Sequence, residues 1–171
     1  MDERQKKLLA LLEDNGPKLI ALMLRLTLRR DVAEDLMQEL FIKLSNSNGL
    51  DRANQPAAYA YRAAINLAFD WRRKNKRVLL PLDDSGELIR KSSTPLNKMV
   101  EAEQRLEILN AIEKLQGLIR QVCVMRYIQQ ESNVTIAEHV GKTPHQVRAL
   151  CAKALTQLRE LLTEDKVYYS R

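Results

Sequence analysis

The segment Thr135-Ile-Ala-Glu-His-Val-Gly-Lys-Thr-Pro-His-Gln-Val-Arg-Ala-Leu150 decides how the chain is read. Ala137 stands where two helices cross closely, and a larger side chain there would push them apart. Gly141 follows four residues later, where a tight inter-helix turn asks for a positive φ that a Cβ resists. Thr143 caps the next helix, Pro144 opens it, and Val147 points back into the core. These offsets are the geometry of a helix-turn-helix. The second helix then divides by face. Val147, Leu150, Cys151, Ala154, Leu155, Leu158, Leu161 and Leu162 form an apolar stripe. Opposite lie His145, Gln146, Arg148, Ala149, Ala152, Lys153 and Gln157, with no acid before Glu160. Cations and amides without carboxylates suit a DNA major groove, and Lys142 and Thr143 at the helix start suit phosphate. A plain helical hairpin with a solvated polar face is the competing reading.

Working outward, helical periodicity predicts elements over Leu96–Leu115, Leu118–Tyr127, Val134–Val140 and Pro144–Leu162. Upstream, Leu-Leu-Pro-Leu-Asp-Asp-Ser-Gly has no period and carries a turn signal, so residues 78–94 read as a flexible linker, with Thr94-Pro95 starting the second block. In the first block Lys7–Leu28 is helical, with leucines on one face before Asn15-Gly16-Pro17 and on another after it. That tripeptide either divides two helices or kinks one. Asp31 with Glu34 resembles a capping pair for a helix to Leu44, with Val32, Leu36, Leu40 and Leu44 inward. Ser45–Gln55 is polar and breaks helix, and Pro56 opens a long helix to about Arg77. With only 5 Gly and 5 Pro in 171 residues, the expected fold is all-α. It comprises two small helical domains, 1–77 and 95–165, joined by the 78–94 linker, with a C-terminal tail at 166–171.

The chain carries 28 basic against 22 acidic residues, and their distribution matters more than the excess. The Pro56–Arg77 helix holds Tyr59, Tyr61, Phe69 and Trp71, then Arg72, Arg73, Lys74, Lys76 and Arg77 with no acid among them. Rings stack unpaired bases and cations hold phosphates, so this helix suits a single strand, although Phe69 reads as core. The Asp31–Leu44 helix is the converse. Asp31, Glu34, Asp35, Gln38 and Glu39 would repel phosphate and suit a cationic protein partner.

Other chemistries lack their residues. Cys123 and Cys151 have no metal or disulfide spacing and read as small core residues; His139, His145 and Cys151 recur every six residues, off any one helical face. No apolar run reaches the about 18 residues of a membrane span, and the charged, amphipathic N-terminus is unlike a signal sequence. The expectation is a cytoplasmic non-enzyme with no cofactor: no P-loop or nucleophile–base pair is present.

Together these residues resemble the extracytoplasmic-function group of bacterial sigma factors, in the sigma-70 family, over about Leu8–Leu162. Ala33-Glu-Asp-Leu-Met-Gln-Glu-Leu-Phe-Ile-Lys-Leu44 is similar to that family's core-binding helix in region 2. By that resemblance Asp35, Gln38, Glu39 and Phe41 dock on a coiled coil of the large polymerase subunit. Tyr61-Arg-Ala-Ala-Ile-Asn-Leu-Ala-Phe-Asp-Trp-Arg-Arg-Lys74 is similar to the reader of the promoter −10 element. There Asn66 would lie near the pocket for a flipped base and Arg62, Arg72 and Arg73 would hold backbone; Tyr61, Asp70, Trp71 and Lys74 complete the expected −10 set. The second lobe resembles region 4, which reads duplex −35 DNA, here through Lys142, Thr143, His145, Gln146, Arg148, Ala149 and Lys153. The implied partners are core RNA polymerase (coiled coil and flap), promoter DNA, and an anti-sigma or membrane-bound regulator. Ala149, Ala152, Leu150 and Leu155 depart from common members and look closer to the iron-starvation subgroup, which controls siderophore or haem uptake. Two rivals stand beside this: a free-standing helix-turn-helix regulator, and a helical adaptor or inhibitor that binds only protein.

Overall fold

A computed structural model describes residues 1–76 and 95–169, with the side chains of 95, 98 and 165–169 excepted. The expected linker at 78–94, Arg77 and the Thr94 cap lie outside the described residues. The chain divides into two compact units, Met1–Gly86 and Glu87–Arg171. Every regular element among the described residues is helical.

In the first unit, α1 (Glu3–Thr27) packs against α2 (Arg30–Asn46) and α4 (Pro56–Lys74), and α2 packs against α4; the one-turn α3 (Gly49–Arg52) leans on α4. Asp2 N–H donates to Gln5 Oε1 at 3.2 Å at the start of α1, four residues before the expected Lys7. Pro17 neither divides nor ends the helix. At 100° per residue, Leu8, Leu11, Leu19, Leu22, Met23 and Leu26 fall within about 120° of one another. The leucines before and after Pro17 therefore share one face, and all six are buried. Burying such side chains yields about 1.5–3 kcal/mol each, which outweighs the roughly 3 kcal/mol that an interior proline costs.

The cap of helix α2 falls two residues earlier than expected. Arg29 occupies the cap position, so Asp31 is not a cap: its carboxylate accepts from Arg29 Nε at 3.1 Å and Nη2 at 2.6 Å. That hydrogen bonding, before any other cause, holds the Asp31 carboxyl below its usual range.

The polar stretch at 45–55 is not wholly irregular. Ser47 Oγ bonds the Tyr59 hydroxyl at 2.9 Å and accepts from Gly49 N–H at 2.9 Å, which seats α3 on α4. A Cβ on Gly49 would overlap the Tyr59 hydroxyl. Gly49→Ala is therefore expected to lower the stability of this unit by about 1–3 kcal/mol. Denaturant unfolding of the variant measures the loss, and an unchanged midpoint would show that α3 simply lifts away.

In the second unit, α8 (Pro144–Tyr169) packs against α5 (Pro95–Lys114), α6 (Gly117–Cys123) and α7 (Asn133–Val140). A π-helical turn, Val124–Ile128, continues α6 toward α7. Helix α8 extends past Leu162 to Tyr169, into the stretch read as a tail. Leu109, Ala111, Ile112, Leu115, Val122, Cys123, Val124, Met125, Ile136, Ala137, Val147, Cys151 and Ala154 form the core. Burial pushes the Cys123 thiol up to about 11, so it stays protonated at neutral pH within the core.

Candidate functional site

Three surfaces carry the residues singled out in the sequence. The first is the outer face of α2. Val32, Leu36, Leu40 and Leu44 turn inward, which leaves Asp31, Asp35, Gln38, Glu39 and Ile42 exposed within an arc of about 100°. Phe41 is 42% exposed and Ile42 58% exposed. Phe41 and Ile42, with Leu12, Ile20, Glu34, Met37 and Gln38, line an apolar groove of about 590 Å³ between α1 and α2. Asp35, Gln38 and Glu39 thus share the outer face of α2, and Phe41 lies to one side of it, about 60° from Gln38 and about 160° from Glu39, at the groove with α1. Sequence reasoning missed Ile42, at the centre of that face. Its signal was present: it stands midway between Leu40 and Leu44 of the four-step stripe, three after Glu39.

The second surface is α4, most of which is buried. At 100° per residue, Tyr59, Arg62, Asn66, Asp70 and Arg73 share an arc of about 80°. Arg62 and Arg73 are exposed, while Tyr59, Asn66 and Asp70 are partly covered. Arg73 pairs with Asp70 along the helix. Two expected DNA residues are corrected here. Tyr61 is only 4% exposed and Arg72 is wholly buried. Arg72 Nη1 donates to Leu26 O at 3.1 Å, so its charge serves the carbonyl end of α1, where the helix dipole favours a cation. Trp71 is partly buried about 180° around the helix from Arg62, and Lys74 is exposed about 120° from it. The −10 set therefore separates into a strip of Arg62, Asn66, Asp70 and Arg73, joined by Tyr59, and residues that face elsewhere.

The third surface belongs to the helix-turn-helix. Ser132 Oγ accepts from Thr135 N–H at 3.1 Å and caps α7. Gly141 closes α7 with φ 67, ψ 36, the left-handed conformation its sequence position asked for. Thr143 and Gln146 form a reciprocal capping box. Gln146 N–H donates to Thr143 Oγ1 at 3.2 Å, and Thr143 N–H donates to Gln146 Oε1 at 3.0 Å. Lys142, Thr143, His145, Gln146, Arg148, Ala149 and Lys153 are all exposed. Lys142, Gln146, Ala149, Leu150 and Lys153, with Leu118 of α6, line a groove of about 340 Å³ with an apolar floor. No carboxylate is among its lining residues.

Residues 11–78 match the family described as Sigma-70 region 2. That stretch spans most of α1 and all of α2–α4, and so includes the first two surfaces. Among curated proteins, none matches the chain. A similar solved structure is the sigma factor RpoE in complex with the anti-sigma factor NepR from Bartonella quintana. It is 20% identical, covering 93% of this chain and 96% of that one, with a TM-score of 0.44.

Proposed function

We propose that this chain is a sigma factor of the extracytoplasmic-function type, a non-enzymatic subunit that lends promoter specificity to core RNA polymerase. The observation that carries the reading is the segregation of charge within residues 11–78. A carboxylate-bearing face with exposed Phe41 and Ile42 lies on α2, and a cation- and amide-bearing strip lies on α4 of the same small bundle. A polymerase coiled coil takes the α2 face through Asp35, Gln38, Glu39, Phe41 and Ile42. Melted −10 DNA takes the α4 strip, with Asn66 near the extruded base and Arg62 and Arg73 on the backbone. Extruding a base costs a few kcal/mol, which stacking and hydrogen bonding must offset. Duplex −35 DNA takes the exposed side of α8.

An inhibitory protein partner and target genes for siderophore or haem uptake complete the proposal. They rest on the sequence resemblance alone. No described helix is long and apolar enough to cross a membrane.

Run-off transcription with core polymerase on a −10/−35 promoter library tests the assignment. Promoter-selective transcripts that depend on the chain support it. DNA binding without stimulation would favour a free-standing regulator, and neither result leaves a protein-binding adaptor. Within that assay, Arg148→Ala is expected to cost about 1–3 kcal/mol of discrimination at the −35 element. A uniform loss on every promoter would make Arg148 a phosphate contact.

A further inference from the structure

The capping box at the start of α8 does more than end a turn, because it fixes which way the Gln146 amide faces. Only an oxygen can accept from Thr143 N–H, so the 3.0 Å bond assigns Oε1 to the backbone and leaves the Nε2 hydrogens outward. An outward-facing glutamine ordinarily recognises adenine by offering one donor and one acceptor together. With its oxygen turned back onto the Thr143 N–H, Gln146 presents its Nε2 donors to the groove.

Ala149 lies one helical turn further along, exposed, and lines the same groove as Gln146. The floor is Leu118, Leu150 and the Ala149 methyl, and Lys142 and Lys153 supply positive charge to meet the flanking phosphates. The ligand for this edge of the helix must therefore present an acceptor beside an apolar group, within a polyanion. In the major groove guanine presents two acceptors and no methyl, cytosine a donor, and adenine one of each. Thymine alone presents an acceptor, O4, next to a C5 methyl.

We propose that Gln146 and Ala149 act together to select a thymine in the upstream promoter element, Gln146 Nε2 donating to O4 and Ala149 packing on the C5 methyl. This rests on the reading of the second unit as a duplex-DNA reader. It goes beyond that reading by naming a base and the pair of residues that chooses it.

The test uses the full chain bound to core polymerase, selecting promoters from a duplex library randomised across the upstream element. The wild-type complex is expected to fix a thymine at one position, and replacing that thymine by deoxyuridine should weaken binding about fourfold, the worth of one methyl group. Ala149→Gly should abolish the distinction between thymine and deoxyuridine. Gln146→Glu keeps the capping box, since a carboxylate accepts from Thr143 N–H equally well. It replaces the outward donors by an acceptor, so the selected base should change from thymine to cytosine, by at least about fivefold. Two results overturn the inference while sparing the promoter reading. One is an adenine or guanine at the position sensitive to Gln146, and the other is a Gln146→Glu complex with unchanged selection. A wild-type complex that selects no upstream element overturns the promoter reading itself, and the inference falls with it.

Discussion

Arg72→Ala is expected to destabilise the first unit by about 3–5 kcal/mol, more than any other substitution in the long basic helix. The side chain is wholly buried and donates to Leu26 O. Truncation removes its packing, leaves a cavity, and strands a buried carbonyl at the end of α1, which alone costs about 1–3 kcal/mol. The chain's single tryptophan, Trp71, lies in this unit and reports its unfolding separately from that of the second unit. A unit of this size loses about 4–8 °C of melting temperature per kcal/mol, so the fluorescence transition should fall by at least about 12 °C. Arg73→Ala is the control. Arg73 is exposed and, among the described residues, pairs along its own helix with Asp70, so the melting temperature of this variant should move by no more than about 4 °C. Equal transitions for the two variants would return Arg72 to the DNA-facing set.

The comparison of these two arginines shows where sequence was sufficient and where it was not. The apolar period placed α2 and the helix-turn-helix, because each hides a stripe whose spacing is written in the chain, and Pro56 marked where α4 opens. The turn at Gly141 was legible for the same kind of reason: one residue type fits one backbone conformation. A run of cations carries no such marker. Arg72 and Arg73 are adjacent and chemically identical, yet about 100° of helix rotation puts one on the end of α1 and the other in solvent. Tyr59 and Tyr61 are separated in the same way. Tyr59 joins the Arg62–Asn66 strip while its hydroxyl holds Ser47, and Tyr61 turns into the core. What fixed these outcomes was the position of α1 and α3 around α4, a long-range fact absent from any local window. Pro17 shows the reverse: a strong local breaker signal was overridden because the leucines on both sides of it needed to reach one core.

Asp35→Arg is expected to reduce capture of core polymerase by at least about 100-fold while leaving the fold intact. Asp35 is exposed at the middle of the outer face of α2, away from the Val32–Leu36–Leu40–Leu44 stripe. Its replacement therefore disturbs no buried contact, and the melting profile should match the parent's. Binding should suffer through charge. If the partner surface is cationic, reversal turns an attraction into like-charge contact beside Phe41 and Ile42, where several kcal/mol can be lost. The sign of the change is more informative than its size. Were this face a nucleic-acid surface, an added arginine would tighten binding and steepen its salt dependence. A weaker polymerase complex with unchanged affinity for a −10 single strand thus separates the two assignments in one variant. Undiminished retention of Asp35→Arg by immobilised core enzyme would remove α2 from the interface and leave its carboxylates as a solvated surface.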